Sequence, residues 1–198
     1  MSNIPVITIS REYGSGGRAI GERLAKELGI PFYNKELILM AAKESGLSEE
    51  YIKKTEQIKS TSFLYGLYMG AQQLPMNDQI FLVQSKIIRQ IAEEGPCVIV
   101  GRCADEILRQ AGIDSLNVFI HADQLHRAVY ASELTGITNA TELQKLLKRV
   151  DSGRQVYYNH YTGRKWGDPH NYHMSLDSGA LGYDLCAKFI VEAIQAAD

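Results

Sequence analysis

The opening thirty-three residues constrain this chain more than any other stretch. Pro5-Val6-Ile7-Thr8-Ile9 is short, β-branched and apolar, the pattern of a buried strand. Gly14-Ser15-Gly16-Gly17 follows almost at once, and then Ile20, Leu24, Ala25 and Leu28 recur at helical spacing. Gly29 ends that helix and Pro31 prevents its return. Phe32-Tyr33 supplies a second short strand. Strand, glycine loop, helix and strand make a βαβ unit, and two strands joined in this way run parallel.

The rest of the chain continues the alternation. Glu36–Lys43, a segment capped by Ser48 and the aromatic stretch 60–73 read as helical, as does Asn77–Glu94 with its stripe of Ile80, Phe81, Val83, Ile87, Ile88 and Ile91. Cys97–Val100 is a continuous apolar strand ending at Gly101-Arg102, and Ile107 and Leu108 sit on a short helix. Leu116–Ile120 is another strand. A charged helix carrying Arg127 runs to about Leu134, Thr141 to about His160 is a long polar helix, Tyr172–Leu176 is the last strand, and Gly182–Ala197 is the closing helix. The expected class is α/β, with helices on both faces of a parallel sheet of about five strands.

Composition sets the outer limits. At 198 residues, 45% hydrophobic and 22% charged, the chain has ordinary globular composition and enough length for its own core. A formal charge of −2 gives no reason to expect nucleic acid or a membrane surface as partner. No apolar run approaches the ~20 residues of a membrane span, and the first residues lack the pattern of a secretory signal. Cys97, Cys103 and Cys186 are three in number and form no metal-binding spacing, which points to reduced thiols and a cytoplasmic location.

In a parallel sheet, ligands sit beyond the carboxyl ends of the strands. The segment Gly14-Ser15-Gly16-Gly17-Arg18 falls there. A glycine turn ahead of a helix exposes main-chain N–H groups, and the helix adds a partial positive charge, so the pair suits a phosphate. The common phosphate-loop pattern is G-x-x-x-x-G-K-[ST]. In that register Gly16 is the second glycine, Gly17 stands in the lysine place, Arg18 in the hydroxyl place and Arg11 in the first-glycine place. Arg18 is then the nearest cation, one residue late.

Two other features reach the same edge. Arg102, directly after a buried strand, suits either a second phosphate or the following helix, while Cys103 reads as a small buried residue. The basic set running from Arg127 through Arg149 and Arg154 to Lys165 is either a mobile lid over phosphates or a solvated helix face. Trp166 and Tyr157, Tyr158, Tyr161 and Tyr172 are either a stacking surface or packing residues. The five histidines show no metal motif, and the metal ligands are not legible.

The stretches ITISREYGSGGRAIGERLAKELGIPFYNKELI, VIVGRCADEIL, LNVFIHA and RVDSGRQVYYNHYTGRKWGDPHNYHMSLDSGALG resemble the cytidylate kinase-like proteins, a nucleoside monophosphate kinase group of the P-loop kinases. The resemblance implies a three-layer P-loop kinase fold. Its core would be 1–34, 77–126 and 170–198, with a helical acceptor-binding insert at 35–76 and a lid at 127–169. It implies ATP, Mg²⁺ and phosphoryl transfer to a small nucleotide such as CMP. By resemblance, Gly14, Ser15, Gly16, Gly17 and Arg18 hold the donor phosphates. Gly101-Arg102 and Asn34 would serve the acceptor. Arg127 and Arg154, with Arg18, would cover the transferring group, and 178–181 would border the adenine. Cys103 and Asn34 stand where the family has aspartates. The reading from a different class is a nucleotide-binding regulatory module, and a third is a kinase of a non-nucleotide acceptor.

Overall fold

The computed structural model describes residues 5–34 and 75–196. The expected insert at 35–76 lies outside them except for its last two residues. Five strands, β1 (Val6–Arg11), β2 (Phe32–Tyr33), β3 (Val98–Val100), β4 (Ser115–His121) and β5 (Met174–Asp177), form one sheet in the order β2-β3-β1-β4-β5. Every pairing is parallel, with Ile7 beside Val98 on one side and beside Leu116 on the other. The first strand of the sequence therefore becomes the middle of the sheet, where both of its edges are satisfied.

Seven helices are described: α1 (Gly17–Leu28), α2 (Met76–Glu94), α3 (Ala104–Gln110), α4 (Gln124–Thr135), α5 (Ala140–Thr162), α6 (Ser178–Leu181) and α7 (Tyr183–Ala196). Pleating divides the apolar side chains of the sheet between two cores. Ile7, Ile9, Val98, Val100, Val118 and Ile120 meet Leu24 of α1 and Ile190 of α7. Val6, Ile99 and Tyr158 meet Ile87 and Ile88 of α2 and Leu108 of α3. The result is three layers, helix on sheet on helix.

The punctuation of α1 follows the sequence: Gly29 is left-handed (φ 66°) and its N–H donates to the Ala25 carbonyl. A side chain on Gly21 would stand 3.1 Å from Phe32 and Val100, so a glycine there lets the helix settle close to the sheet. Two boundaries differ from expectation. The last strand starts at Met174, because Pro169–Asn171 is a 3₁₀ turn opened by Asp168. The closing helix is preceded by one extra turn, α6, whose N–H groups at Gly179 and Ala180 are capped by the Asp177 carboxylate. Gly182, at φ 76° and ψ 162°, separates the two.

Leu24 is fully buried between α1, the sheet and α7. Leu24→Ala is expected to lower unfolding free energy by about 2–5 kcal/mol, read from urea denaturation at an unchanged m-value.

Candidate functional site: a glycine turn facing an arginine-lined cavity

Between β1 and α1 the backbone curls through Gly14 (φ 82°) and Gly16 (φ 72°), both left-handed. Conformation is only half the reason for glycine. A Cβ on Gly14 would overlap the Arg127 carbonyl, and one on Gly16 would overlap the Tyr183 ring. Ser15 is buried, and its hydroxyl is directed to the Glu12 carbonyl at 2.9 Å and the Ile120 carbonyl at 3.1 Å. The Ser178 hydroxyl in turn reaches the Ser15 carbonyl at 2.7 Å and the His121 carbonyl at 3.0 Å. Ser15 thus pins the turn to the end of β4 and turns its hydroxyl away from the cleft. Helix α1 starts with no side-chain cap, whereas Asp123 caps α4 and Asn139 caps α5. An uncapped helix start beside a curled glycine turn suits an anion.

The long helix α5 grips this turn from above. Arg127 of α4 donates from Nε to the Tyr13 carbonyl at 2.8 Å, pairs through Nη2 with Asp151, and lies 3.3 Å from Glu12. Asp151 also accepts the Tyr13 N–H at 2.7 Å. Arg154 donates to the Arg11 carbonyl at 2.9 Å, and its guanidinium sits over the Tyr13 ring at 5.6 Å. Burial pulls the Arg154 guanidinium below its ordinary value, while Asp151 opposes the shift. Arg154 lies on the cavity wall. The Arg127 side chain does not; it is committed to the turn and to Asp151.

At the end of β3 the chain makes an unusual turn. Gly101, Arg102 and Cys103 have φ of 82°, 60° and 56°, and the Ala104 N–H closes on the Gly101 carbonyl at 3.2 Å. Left-handed backbone at two non-glycine residues costs of order 1–3 kcal/mol each and is found where a site requires it. The turn lifts Arg102 over the Tyr157 ring, 5.4 Å from its centroid, and sends Cys103 into the core. Burial drives the Cys103 thiol well above its ordinary value, which disfavours its thiolate. Behind it, the Tyr158 hydroxyl donates to buried Asp105 at 2.7 Å, and desolvation holds that carboxyl above the usual range. Asn34, almost fully buried, closes the wall at the end of β2.

These elements enclose a cavity of about 630 Å³ at the carboxyl ends of β1 and β3. Arg11, Arg18, Arg102 and Arg154 line it, against the carboxylate of Glu12. Gly14, Gly16, Gly17 and Asn34 are on the same wall, so the structure brings together most of the residues singled out from the sequence. Arg18 stands at the rim, with its Nε on Glu22 at 2.9 Å and its side chain 61% exposed. The tail aromatics divide: Trp166 and Tyr172 both rest on Phe119, while Trp166 also lines the cavity with Tyr157 and Tyr158. His173 accepts the Asn117 N–H at 3.0 Å. Among the described residues no cluster of three or more His, Cys, Asp or Glu could hold a metal. Two participants were not visible as such in the sequence. Asp151 and Arg11 carry no local signal that distinguishes them from other charged residues of the chain.

Two consequences can be measured. Asp151→Ala leaves the Tyr13 N–H without its acceptor and takes one of two carboxylates from Arg127, and thermal unfolding should show a loss of about 1–3 kcal/mol, with Asp151→Asn milder. Burial, with Glu94 adding, pushes the Cys97 thiol up to about 12, and Cys103 and Cys186 shift the same way. Thiolate is therefore scarce at pH 8. A disulfide reagent such as DTNB should titrate none of the three thiols quickly until denaturant is added; a fast native thiol would contradict the packing.

Comparison with known proteins agrees with this geometry. The chain resembles a solved structure of an uncharacterized protein from Eubacterium ventriosum ATCC 27560, at 28% identity and TM-score 0.75, covering 96% of this chain and 98% of that one. A gluconokinase from Sinorhizobium meliloti 1021 matches at 16% identity and TM-score 0.57, over 100% and 95% of the two chains. Shikimate kinase from Acinetobacter baumannii, in complex with shikimate, matches at 13% identity and TM-score 0.54, over 100% and 96%. These last two speak for the P-loop kinase fold. No curated protein matches the chain. The sequence model of the cytidylate kinase-like family matches residues 6–180, and the chain therefore belongs to that family.

Proposed function

We propose that the protein transfers a phosphoryl group from ATP to a small anionic acceptor of the nucleoside monophosphate class, such as CMP. The observation that carries this reading is the uncapped, glycine-curled start of α1 opening onto a cavity lined by four arginines. Phosphoryl transfer asks little covalent chemistry of a protein; it needs positioning and charge neutralisation. The N–H groups at the start of α1 and the rim cation Arg18 face the donor phosphates. Arg102, raised by its strained turn, faces the acceptor phosphate, with Asn34 beside it. Arg154 leans in from α5 toward the transferring group. Arg127 acts one step back, holding Tyr13 and Asp151 so that the turn keeps its curl. Magnesium in such sites arrives on the nucleotide phosphates, and Glu12 is the carboxylate on the cavity wall.

In this reading residues 35–76 select the acceptor and 127–169 form the lid over a core of 1–34, 77–126 and 170–198. The three cysteines are free and buried, which suits a cytoplasmic protein. No helix among the described residues is long and apolar enough to cross a membrane. Small nucleotides rather than nucleic acid are the partners expected of a cleft of about 630 Å³.

Gly17 in the lysine place favours a second reading, a module that binds nucleotide without catalysis. Asn34 and Cys103, where the family has aspartates, favour a third, an acceptor other than a nucleotide. A coupled assay of ADP formation separates them, run with ATP-Mg²⁺ against CMP, UMP, dCMP and AMP and against shikimate and gluconate. ADP release on a pyrimidine monophosphate supports the leading reading. Saturable ATP binding without ADP on any acceptor supports the module. With a working acceptor, Arg154→Ala should reduce kcat by about 10³-fold while changing ATP affinity by far less; equal losses in both would remove Arg154 from the transferring group.

A further inference from the structure

One residue in the cavity is unaccounted for by the phosphate-loop pattern. Arg11 is the last residue of β1, paired in the ladder with Ile120, and its carbonyl accepts from Arg154 at 2.9 Å. Its backbone is thus held from two sides. Its side chain crosses the floor of the cavity. A Cβ on Gly17 would stand 2.6 Å from the Arg11 Cβ and 2.9 Å from its Cγ. At the other end, a Cβ on Gly101 would overlap Nη1 and lie 3.2 Å from Cζ. The stem therefore lies across the first residue of α1, and the guanidinium rests against the turn that carries Arg102.

We infer that Arg11 supplies the donor-phosphate cation that the lysine supplies in the common phosphate loop, and that Gly17 is glycine because the Arg11 stem fills the space a side chain would need. This rests on the kinase reading above and deepens it. The usual pattern has glycine where Arg11 stands and lysine where Gly17 stands; here small and cationic residues have changed places. Gly17 has no left-handed backbone to explain its identity, since it is an ordinary helical residue. Space is the remaining constraint, and Arg11 occupies it. The charge consequently enters from the strand below the turn instead of from the helix beside it. It arrives as a planar fork able to hold two phosphate oxygens at once. Arg18, mostly exposed and paired with Glu22, is less well placed for this. The guanidinium also lies against Gly101, next to Arg102, so one cation borders both the donor loop and the acceptor turn.

The test is a swap. Binding of Mg²⁺-AMP-PNP and of inorganic tripolyphosphate to the full chain is measured by calorimetry, with thermal unfolding alongside, for wild type, Arg11→Gln, Arg11→Ala, Gly17→Lys and the double variant Arg11→Ala/Gly17→Lys. Arg11→Gln keeps the stem and removes the charge, so it serves if the alanine variant folds poorly. Loss of the cation should weaken both ligands tenfold or more. Gly17→Lys alone should lower the melting temperature, because its Cβ meets the Arg11 stem. The double variant should melt higher than Gly17→Lys and bind at least severalfold tighter than Arg11→Ala. Arg11→Gln binding within twofold of wild type, or a double variant that binds no better than Arg11→Ala, overturns the inference and leaves the kinase reading standing. A wild-type chain that binds neither ligand overturns both.

Discussion

The parallel pairing of β1 with both β3 and β4 is the constraint from which the site follows. A strand with two neighbours has every main-chain group spoken for, and its end point in space is then set by the whole sheet. Glu12 continues that order, donating its N–H to the Ile120 carbonyl at 3.0 Å, and Gly101 does the same from the other side, onto the Ile9 carbonyl at 3.0 Å. The glycine turn and the Arg102 turn are therefore launched from adjacent strands at one level. Their separation is a property of the sheet, not of either loop. A phosphoryl-transfer site gains from that rigidity, because misplacement of a reacting group by an ångström is costly in rate.

Above the sheet, α4 and the Asp151–Arg154 turn of α5 are tied to the glycine loop by ionic and main-chain hydrogen bonds, while the C-terminal half of α5 packs Tyr158 into the core. Asp151 joins Arg127, Arg154 and the Tyr13 N–H, so two helices and the loop share one carboxylate. Partly buried charges of this kind contribute modest net stability but cost much when one partner is lost. The apolar cluster between α4 and the start of α5 is small, built on Ala131, Leu143 and Leu147. Asp151, which holds the loop, and Arg154, which lines the cavity, are then neighbours on the same helix.

Several parts of this arrangement were legible in the sequence. The strands expected at 5–9, 97–100 and 116–120, found at Val6–Arg11, Val98–Val100 and Ser115–His121, the helix ending at Gly29 and the glycine turn at 14–17 all rest on local signals: run length, period and turn residues. The boundaries around Tyr172 and Gly182 were less legible, because a 3₁₀ turn and a side-chain cap by Asp177 depend on geometry a few residues wide. The roles of the arginines were not separable at all. Arg18, Arg127 and Arg154 look alike in the chain, yet one is at the rim, one is locked into the loop and one faces the cavity.

What the sequence determined by itself was the parallel α/β class, the position of the glycine turn ahead of α1 and the supply of cations near it. These depend on interactions between residues close in the chain. What only the tertiary structure decided was which cation goes where. Arg11 lies across Gly17 and against Gly101, ninety residues away, because β1 and β3 pair side by side. That contact depends on the sheet order, and the order is set by how the two apolar cores close over the strands, which no local pattern encodes.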